Sequence, residues 1–370
     1  MDISNLKNEH DQLAKIVQSY NQDSLKNTLF LANYCKSQFP KLNDIPIFHN
    51  IIGLINLRLK DWDQSINNFE TAININSNFV EAYYNLALVY FDKGKLENSY
   101  NYLIKSINIK KNYKKAKNKI IELLTFYQPT NISDNYLSKL NEKIKGIPYN
   151  IDFSKKITDE QIKNYYERCK KIVEENLDDL SYNKYQIFKR KSVFLNCERH
   201  KGIFNENNTI PKYCFSCFKV VIKLKNLFDL IKVSLIFDQV NYFFNFNRKS
   251  LIDKRYGEIS YKSLIYCSSI KEVYDVEKNT KNILNKIIGN NIVIESKRGC
   301  TEFALSFPNY KKIFKDKSKL MKYPDEWLIN EKKFDEVNTK NNVETKRVIQ
   351  DTITGFSLNN FLIINNWLND

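Results

Sequence analysis

Two short pairs of metal-ligating side chains, Cys197-x-x-His200 and Cys214-x-x-Cys217, stand thirteen residues apart in this chain. A two-residue gap lets both side chains of a pair turn toward one ion, and two such pairs are how tetrahedral zinc is usually clamped. The set predicts a zinc site built from Cys197, Cys214 and Cys217, with His200 or Cys300 as fourth ligand. An all-cysteine set would also suit an iron–sulfur cluster, although the spacing matches none of the common ferredoxin runs. A thioredoxin-type pair needs its cysteines at a helix N-terminus, whereas Cys217 runs straight into a strand-like segment. Cys300 follows Lys297, Arg298 and Gly299, and adjacent positive charge favours a thiolate, so a nucleophilic cysteine near Glu302 and His200 is an alternative. The plain alternative throughout is a group of buried, inert thiols.

Other chemistries are poorly served. The eight glycines are scattered, with none of the clusters that cradle a phosphate, which disfavours Rossmann and P-loop enzymes. His10, His49 and His200 are the only histidines, and there is no GxSxG elbow. The net charge of +16 is carried mainly by lysine, and lysine is over-used alongside Asn and Ile, so composition explains the charge as well as a polyanionic partner does. Seven cysteines without a secretion-type leader favour reduced thiols or metal ligands over disulfides and predict a cytoplasmic protein. The most apolar stretch, 220–237, is interrupted by Lys223, Lys225, Asp229 and Lys232, too many charges for a membrane span.

The cysteine pairs must be positioned by the region 191–302. Phe218, Val220, Ile222 and Leu224 alternate with Lys219, Val221, Lys223 and Lys225, a period-two strand with one basic face. A helix over 227–240, strands over 248–255 and 260–267 with a turn at Tyr256-Gly257, a helix over 270–288 and a strand over 292–296 follow. The order β-α-β-β-α-β is that of a ferredoxin-like sandwich within an α+β fold. There the last strand runs antiparallel beside the first, which brings Cys300 near Cys214 and Cys217 and leaves Cys267 at the opposite edge as a structural thiol. Lys219, Lys223 and Lys225, joined by Arg248 or Arg255 according to register, would form an anion-binding face for nucleic acid or another polyanion. The third strand lacks the glycine-aromatic pattern of RNA-recognition domains, and the lysines could equally be a solvated face.

Ahead of this region, 128–190 reads as helical linker, with a short helix around Leu137, Leu140 and Ile144 and a longer one from Thr158 to Leu180 that carries Cys169. The tail 303–370, with Trp327, Phe361-Leu362-Ile363-Ile364 and Trp367, is expected to pack as helices on the α+β domain.

Residues 46–111 carry two copies of a 34-residue helical unit. Ile52-Gly53, Phe69 and Ala72 recur as Leu86-Ala87, Leu103 and Ser106; Ser77 and Lys111 stand where a proline is usual. The small residue at Gly53 or Ala87 lets two helices approach, and units of this length are stable only by stacking. This resembles the tetratricopeptide repeat family. With a degenerate unit over 9–40 and a capping helix over 113–127, it predicts an all-α repeat domain over 1–127. The resemblance implies a protein or peptide partner in a concave groove lined by Asn50, Leu54, Tyr84, Leu88 and Phe91, with Asn85 at its edge. The chain is thus expected to be an intracellular interaction scaffold fused to a zinc-stabilised α+β domain. The enzymatic alternative places zinc or cysteine chemistry at the Cys197/His200/Cys214/Cys217/Cys300 cluster, and nucleic-acid binding on the lysine face is a third.

Overall fold

The computed structural model of the protein describes residues 9–22, 25–131, 135–175, 181–191, 197–254, 258–289, 292–314, 317–338 and 350–369. The chain forms two compact units: one runs to Leu123 and takes in Tyr127–Asn131, and the other holds Leu124–Phe126, Ile132–Lys340 and Ile349–Asp370.

The first unit is a stack of helices: α1 (Glu9–Gln22), α2 (Leu25–Gln38), α3 (Pro46–Arg58), α4 (Trp62–Ile75), α5 (Val80–Asp92), α6 (Leu96–Ile109) and α7 (Lys114–Leu123). Pro46 opens α3, where its missing N–H costs nothing, and the Asp61 carboxylate caps α4 at the Gln64 N–H (3.2 Å). The hairpins α3/α4 and α5/α6 repeat each other in detail. Ser65 Oγ donates to the Gly53 carbonyl and Ser99 Oγ to the Ala87 carbonyl, both at 2.8 Å and one repeat apart. A Cβ on Gly53 would lie 2.6 Å from the Phe69 ring, so this crossing is set by the absence of a side chain. Each hairpin turns through a left-handed residue, Lys60 (φ 61°) in one and Gly94 (φ 73°) in the next. Where proline is missing, the Asn76 and Lys110 N–H groups close the turns on Ala72 and Ser106, each at 3.0 Å. Ile16, Ala32, Cys35, Leu42, Phe48 and Ile55 form one core of the stack, and Phe69, Leu86 and Val89 another.

The second unit contains α8 (Tyr136–Lys145), α9 (Asp159–Glu174), β1 (Gln186–Lys189), α10 (Cys197–Asn207), β2 (Phe218–Leu224), α11 (Leu227–Gln239), β3 (Arg248–Asp253), β4 (Ser260–Cys267), α12 (Ile270–Ile287), β5 (Val293–Arg298), α13 (Trp327–Asn338) and α14 (Leu358–Asn369). Asn226 and Ser269 cap α11 and α12, and Thr158 with Gln161 forms a capping box on α9. The five strands form one sheet in the order β1-β3-β4-β2-β5, every neighbouring pair antiparallel. Helices α11 and α12 pack on the sheet, over the face that carries Phe218, Val220 and Ile222.

Several expectations change here. The long linker helix ends at Glu174, and its expected end at Leu180 and the turn at Tyr256-Gly257 lie outside the described residues. The sheet gains β1, a four-residue edge strand that pairs with β3. Cys197 and His200 sit on the first turn of helix α10 rather than on a knuckle. The segments 135–175, 303–314, 317–338 and 350–369 pack into the same unit as the sheet: α14 rests on α8, α9 and α11, and Trp367 Nε1 donates to the Tyr185 carbonyl (2.9 Å). Among the described residues no helix is long and apolar enough to cross a membrane.

Candidate functional site

Cys214 lies in a single 3-10 turn, Lys212–Ser216, and Cys217 follows it directly before β2. Because β5 runs antiparallel beside β2, with Phe218 opposite Arg298, the chain leaving β5 passes Cys217. The Gly299 N–H donates to the Cys217 carbonyl at 2.8 Å, and a Cβ on Gly299 would stand 2.4 Å from Cys217 Sγ. Only glycine leaves room there for the thiol. Cys300, one residue on, packs with Cys214 beside Ile210, Phe303 and Tyr310, and the two side chains are hydrogen-bonded. Cys197, from the start of α10, is the fourth thiol of the group, near enough to Cys300, Cys214 and Cys217 to influence their ionisation.

The electrostatics of these four thiols are mutual. The bond from Cys214 to Cys300, together with burial, drives the Cys214 pKa far up, and the same bond holds that of Cys300 below its ordinary value. Burial pushes Cys217 up to about 12, and Cys300 and Cys197 add to the rise. Cys197 is raised by burial and then by Cys300. By exposure, Cys214 is buried, Cys217 and Cys300 are half-buried and Cys197 is exposed, and neighbouring thiols resist ionising together unless a cation joins them.

His200 does not join the thiols. Its ring is 5% exposed and stacked on Tyr213, with centroids 5.2 Å apart, and burial and the neighbouring Arg199 lower its pKa. Arg199 is itself fixed by Asp335 (2.7 Å) and Glu331 (3.0 Å) on α13. Cys267 is a correction: it does not lie at the opposite edge but ends β4 directly opposite Phe218, the residue after Cys217, and burial there raises its pKa to about 12. Among the described residues no group of three or more His, Cys, Asp and Glu side chains is arranged to hold a metal ion. The chemistry of the four thiols nevertheless fits a soft or borderline divalent metal, which takes thiolate sulfur.

The expected anion-binding face is not open. Val221, on the side turned away from the helices, is 3% exposed. Lys219 donates to the Gly299 carbonyl (2.8 Å), Lys223 and Lys297 both pair with Glu295, and Lys262 pairs with Asp253 (2.9 Å). Lys225 is exposed beyond the strand end. Arg248 is a correction: it stands opposite Ile265, on the helix-covered face, 5% exposed and hydrogen-bonded to the Phe243 carbonyl. Burial brings its pKa down to about 10. Arg255 lies outside the described residues.

The expected groove is also partly consumed by packing. Asn85 Nδ2 donates to Asn50 Oδ1 at 2.8 Å, both residues being buried. Leu54 packs with Phe69, Leu86 and Val89, and Phe91 is buried beneath Lys119, whose ammonium lies 3.5 Å from the ring centre. First helices of successive hairpins approach so closely that these residues meet each other. Tyr84, edge-on to Tyr113 at 5.6 Å, and Leu88 remain half-buried.

The burial of several charges in the sheet unit has no clear signal in the sequence. Lys189 on β1 pairs with Asp238 on α11 at 3.0 Å and also donates to the Gly355 carbonyl. Arg298, the last residue of β5, is 1% exposed. The one signal available was a charged residue at a position whose strand neighbours are inward-facing.

Two family models match the first unit, one described as TPR repeat over residues 53–94 and one as tetratricopeptide repeat over 80–113. Residues 53–113 are therefore tetratricopeptide repeats. Among solved structures, MamA is similar at 19% identity, with a TM-score of 0.29 over 31% of this chain and 65% of that one. The first TPR of Spaghetti (RPAP3) bound to an HSP90 peptide is similar at 16% identity, TM-score 0.28, over 30% of this chain and 87% of that one. An O-GlcNAc transferase mutant from Thermobaculum terrenum follows at 12% identity, TM-score 0.31, over 40% of this chain and 30% of that one. The chain thus spans less than two thirds of MamA and of the transferase. No curated protein matches in sequence.

Proposed function

We propose that the protein is an intracellular interaction scaffold in which the repeat unit recruits a protein or peptide and the α+β unit is stabilised by a structural zinc held by Cys197, Cys214, Cys217 and Cys300. The recruiting role rests on the repeats matched over 53–113, since such stacks present extended surfaces for partners. Tyr84 and Leu88 supply the apolar contact. The zinc role rests on one observation, the meeting of Cys300 with Cys214 across the β2/β5 pairing. Zinc bound there would cross-link α10, the turn before β2 and the exit of β5. With all four ligands from protein the centre is closed, which suits a structural rather than a catalytic metal. We read the run β2-α11-β3-β4-α12-β5 as a ferredoxin-like sandwich carrying β1 as an added edge, supported by its antiparallel order β3-β4-β2-β5.

Two experiments test these roles on the full chain. Selection from a displayed peptide library should enrich a consensus that Leu88→Glu no longer binds; no enrichment over a blank support would overturn the recruiting role. Adding a strong zinc chelator should lower the thermal midpoint of the wild type and leave Cys214→Ser unchanged. Identical unfolding with and without chelator would overturn the zinc role.

A further inference from the structure

Strand β5 is one edge of the sheet, and its outer backbone groups are unanswered. The Gly299 N–H bonds the Cys217 carbonyl, and bonded pairs alternate along an antiparallel ladder. Glu295 and Lys297 therefore bond β2, while the N–H and C=O groups of Ile294 and Ser296 point away from it. Among the described residues nothing pairs with those outward groups. The opposite edge is closed at both ends: the Thr352 N–H donates to the Arg190 carbonyl just after β1 (2.9 Å), and Trp367 Nε1 donates to the Tyr185 carbonyl just before it (2.9 Å). An open edge is a template for a further strand.

The open stretch leads to two depressions in the surface. Val293 at its start is 56% exposed, and Arg298 is buried, so a strand laid along β5 must leave the sheet there. The first depression, about 440 Å³, is lined by Lys297 of β5 and by Leu305, Pro308 and Lys311. The second, about 300 Å³, shares the short turn Pro308–Lys311 and is lined by Asn309, Lys312, Phe314 and Lys319. Among the described residues no carboxylate lines either one. Lys297 is answered by Glu295, but Lys311, Lys312 and Lys319 have no anionic partner among the described residues. Leu305, 91% exposed, sets a bare apolar surface beside them. Lysines next to exposed apolar groups fit a ligand that is both acidic and apolar. Free backbone groups and concave depressions suit an extended protein segment, whereas an anionic bilayer would meet the lysines and leave the backbone unpaired.

We propose that the β5 edge and these two depressions are a second docking site, taking an extended protein segment in which acidic residues alternate with apolar ones. The segment pairs with the outward groups of Ile294 and Ser296, its acidic side chains reach Lys311 and Lys312, and an apolar side chain covers Leu305. The site stands apart from both roles proposed above.

The full-length protein is titrated against labelled ten-residue peptides that alternate Glu with Val or Leu, beside control peptides with Lys in place of Glu, and binding is read by fluorescence anisotropy. The Glu peptides should bind and the Lys peptides should not. The double variant Lys311→Glu/Lys312→Glu should weaken binding about tenfold or more, and Leu305→Ser about threefold. Ser296→Pro removes an N–H that the sheet itself does not use and should cost about fivefold. Leu88→Glu in the repeat unit and Lys139→Glu on α8 should bind as wild type does. Equal binding of Glu and Lys peptides, no binding of either up to about 1 mM, or binding unchanged in both the lysine double variant and Leu305→Ser would overturn the proposal. Binding lost in Leu88→Glu would place the peptide in the repeat groove and overturn this site while supporting the recruiting role. Binding only to phosphatidylserine vesicles, lost in the lysine double variant, would overturn it in favour of a membrane surface. If Ser296→Pro does not fold, the other variants decide, since Leu305, Lys311 and Lys312 are exposed side chains.

Discussion

In the repeat unit buried polarity is almost all neutral and is answered by near copies of itself: Asn85 bonds Asn50, Ser19 bonds Thr28, and Ser65 and Ser99 bond equivalent carbonyls one repeat apart. Lys117 is the exception. The sheet unit has neutral pairs too, such as Ser250 with Ser263, but it adds several buried charges: Lys189 on Asp238, Lys232 on Asp159, Arg248 on a carbonyl and Arg298 among aromatic rings. Neutral pairs suit a stack whose interfaces must be interchangeable, since each interface then stands alone and adds its own increment. Buried charges tie distant segments into one arrangement, and the Lys189–Asp238 pair does this by holding β1, α11 and the Gly355 backbone together.

The contrast is broken most severely at that ion pair. Asp238→Ala should destabilise the sheet unit by about 3–5 kcal/mol, because Lys189 is left buried without a partner, whereas the double variant Lys189→Met/Asp238→Leu should recover most of the loss. Denaturant unfolding of the single and double variants checks this; equal losses in both would mean that the pair carries no charge penalty. Next in size is Gly53→Ala, whose new methyl meets the Phe69 ring at 2.6 Å. It should cost about 1–2 kcal/mol despite the better helix propensity of alanine, and Phe69→Leu in the same chain should relieve part of it.

Ser65→Ala and Ser99→Ala sharpen the comparison. Each should cost about 1 kcal/mol, and the two costs should be alike because the bonds are repeat equivalents. Strongly unequal costs would show that the hairpins are not interchangeable. The smallest effect is a gain: Lys60 holds the left-handed turn that Gly94 fills in the next repeat, so Lys60→Gly should raise repeat-unit stability by a few tenths to about 1 kcal/mol.

The helices of the repeats and the strands of the sheet were legible because their signals are local. The 34-residue spacing marks Gly53 as the close-approach position of its hairpin, and the alternation over 218–224 followed by apolar helical stretches marks β2, α11 and α12. Strand β1 was not legible, since four residues carry no pattern of their own and pair only because β3 offers an edge. Whether Arg248 joins the lysine face depends on strand register, which partners elsewhere in the chain set, and the register turns Arg248 to the helix-covered face. The bond between Asn50 and Asn85 spans two repeats, so the pattern of either helix alone carries no sign of it. At the cysteine cluster the local signal and the topological one competed: spacing from Cys197 favours His200, while the antiparallel β2/β5 pair brings in Cys300, and the geometry follows the topology.

That choice of the fourth ligand is tested most directly by the metal content of full-length protein purified without chelator, for wild type, His200→Ala and Cys300→Ser. About one zinc per chain in wild type and in His200→Ala, with loss in Cys300→Ser, is the predicted result. Zinc lost in His200→Ala but kept in Cys300→Ser, or absent from all three, would contradict it.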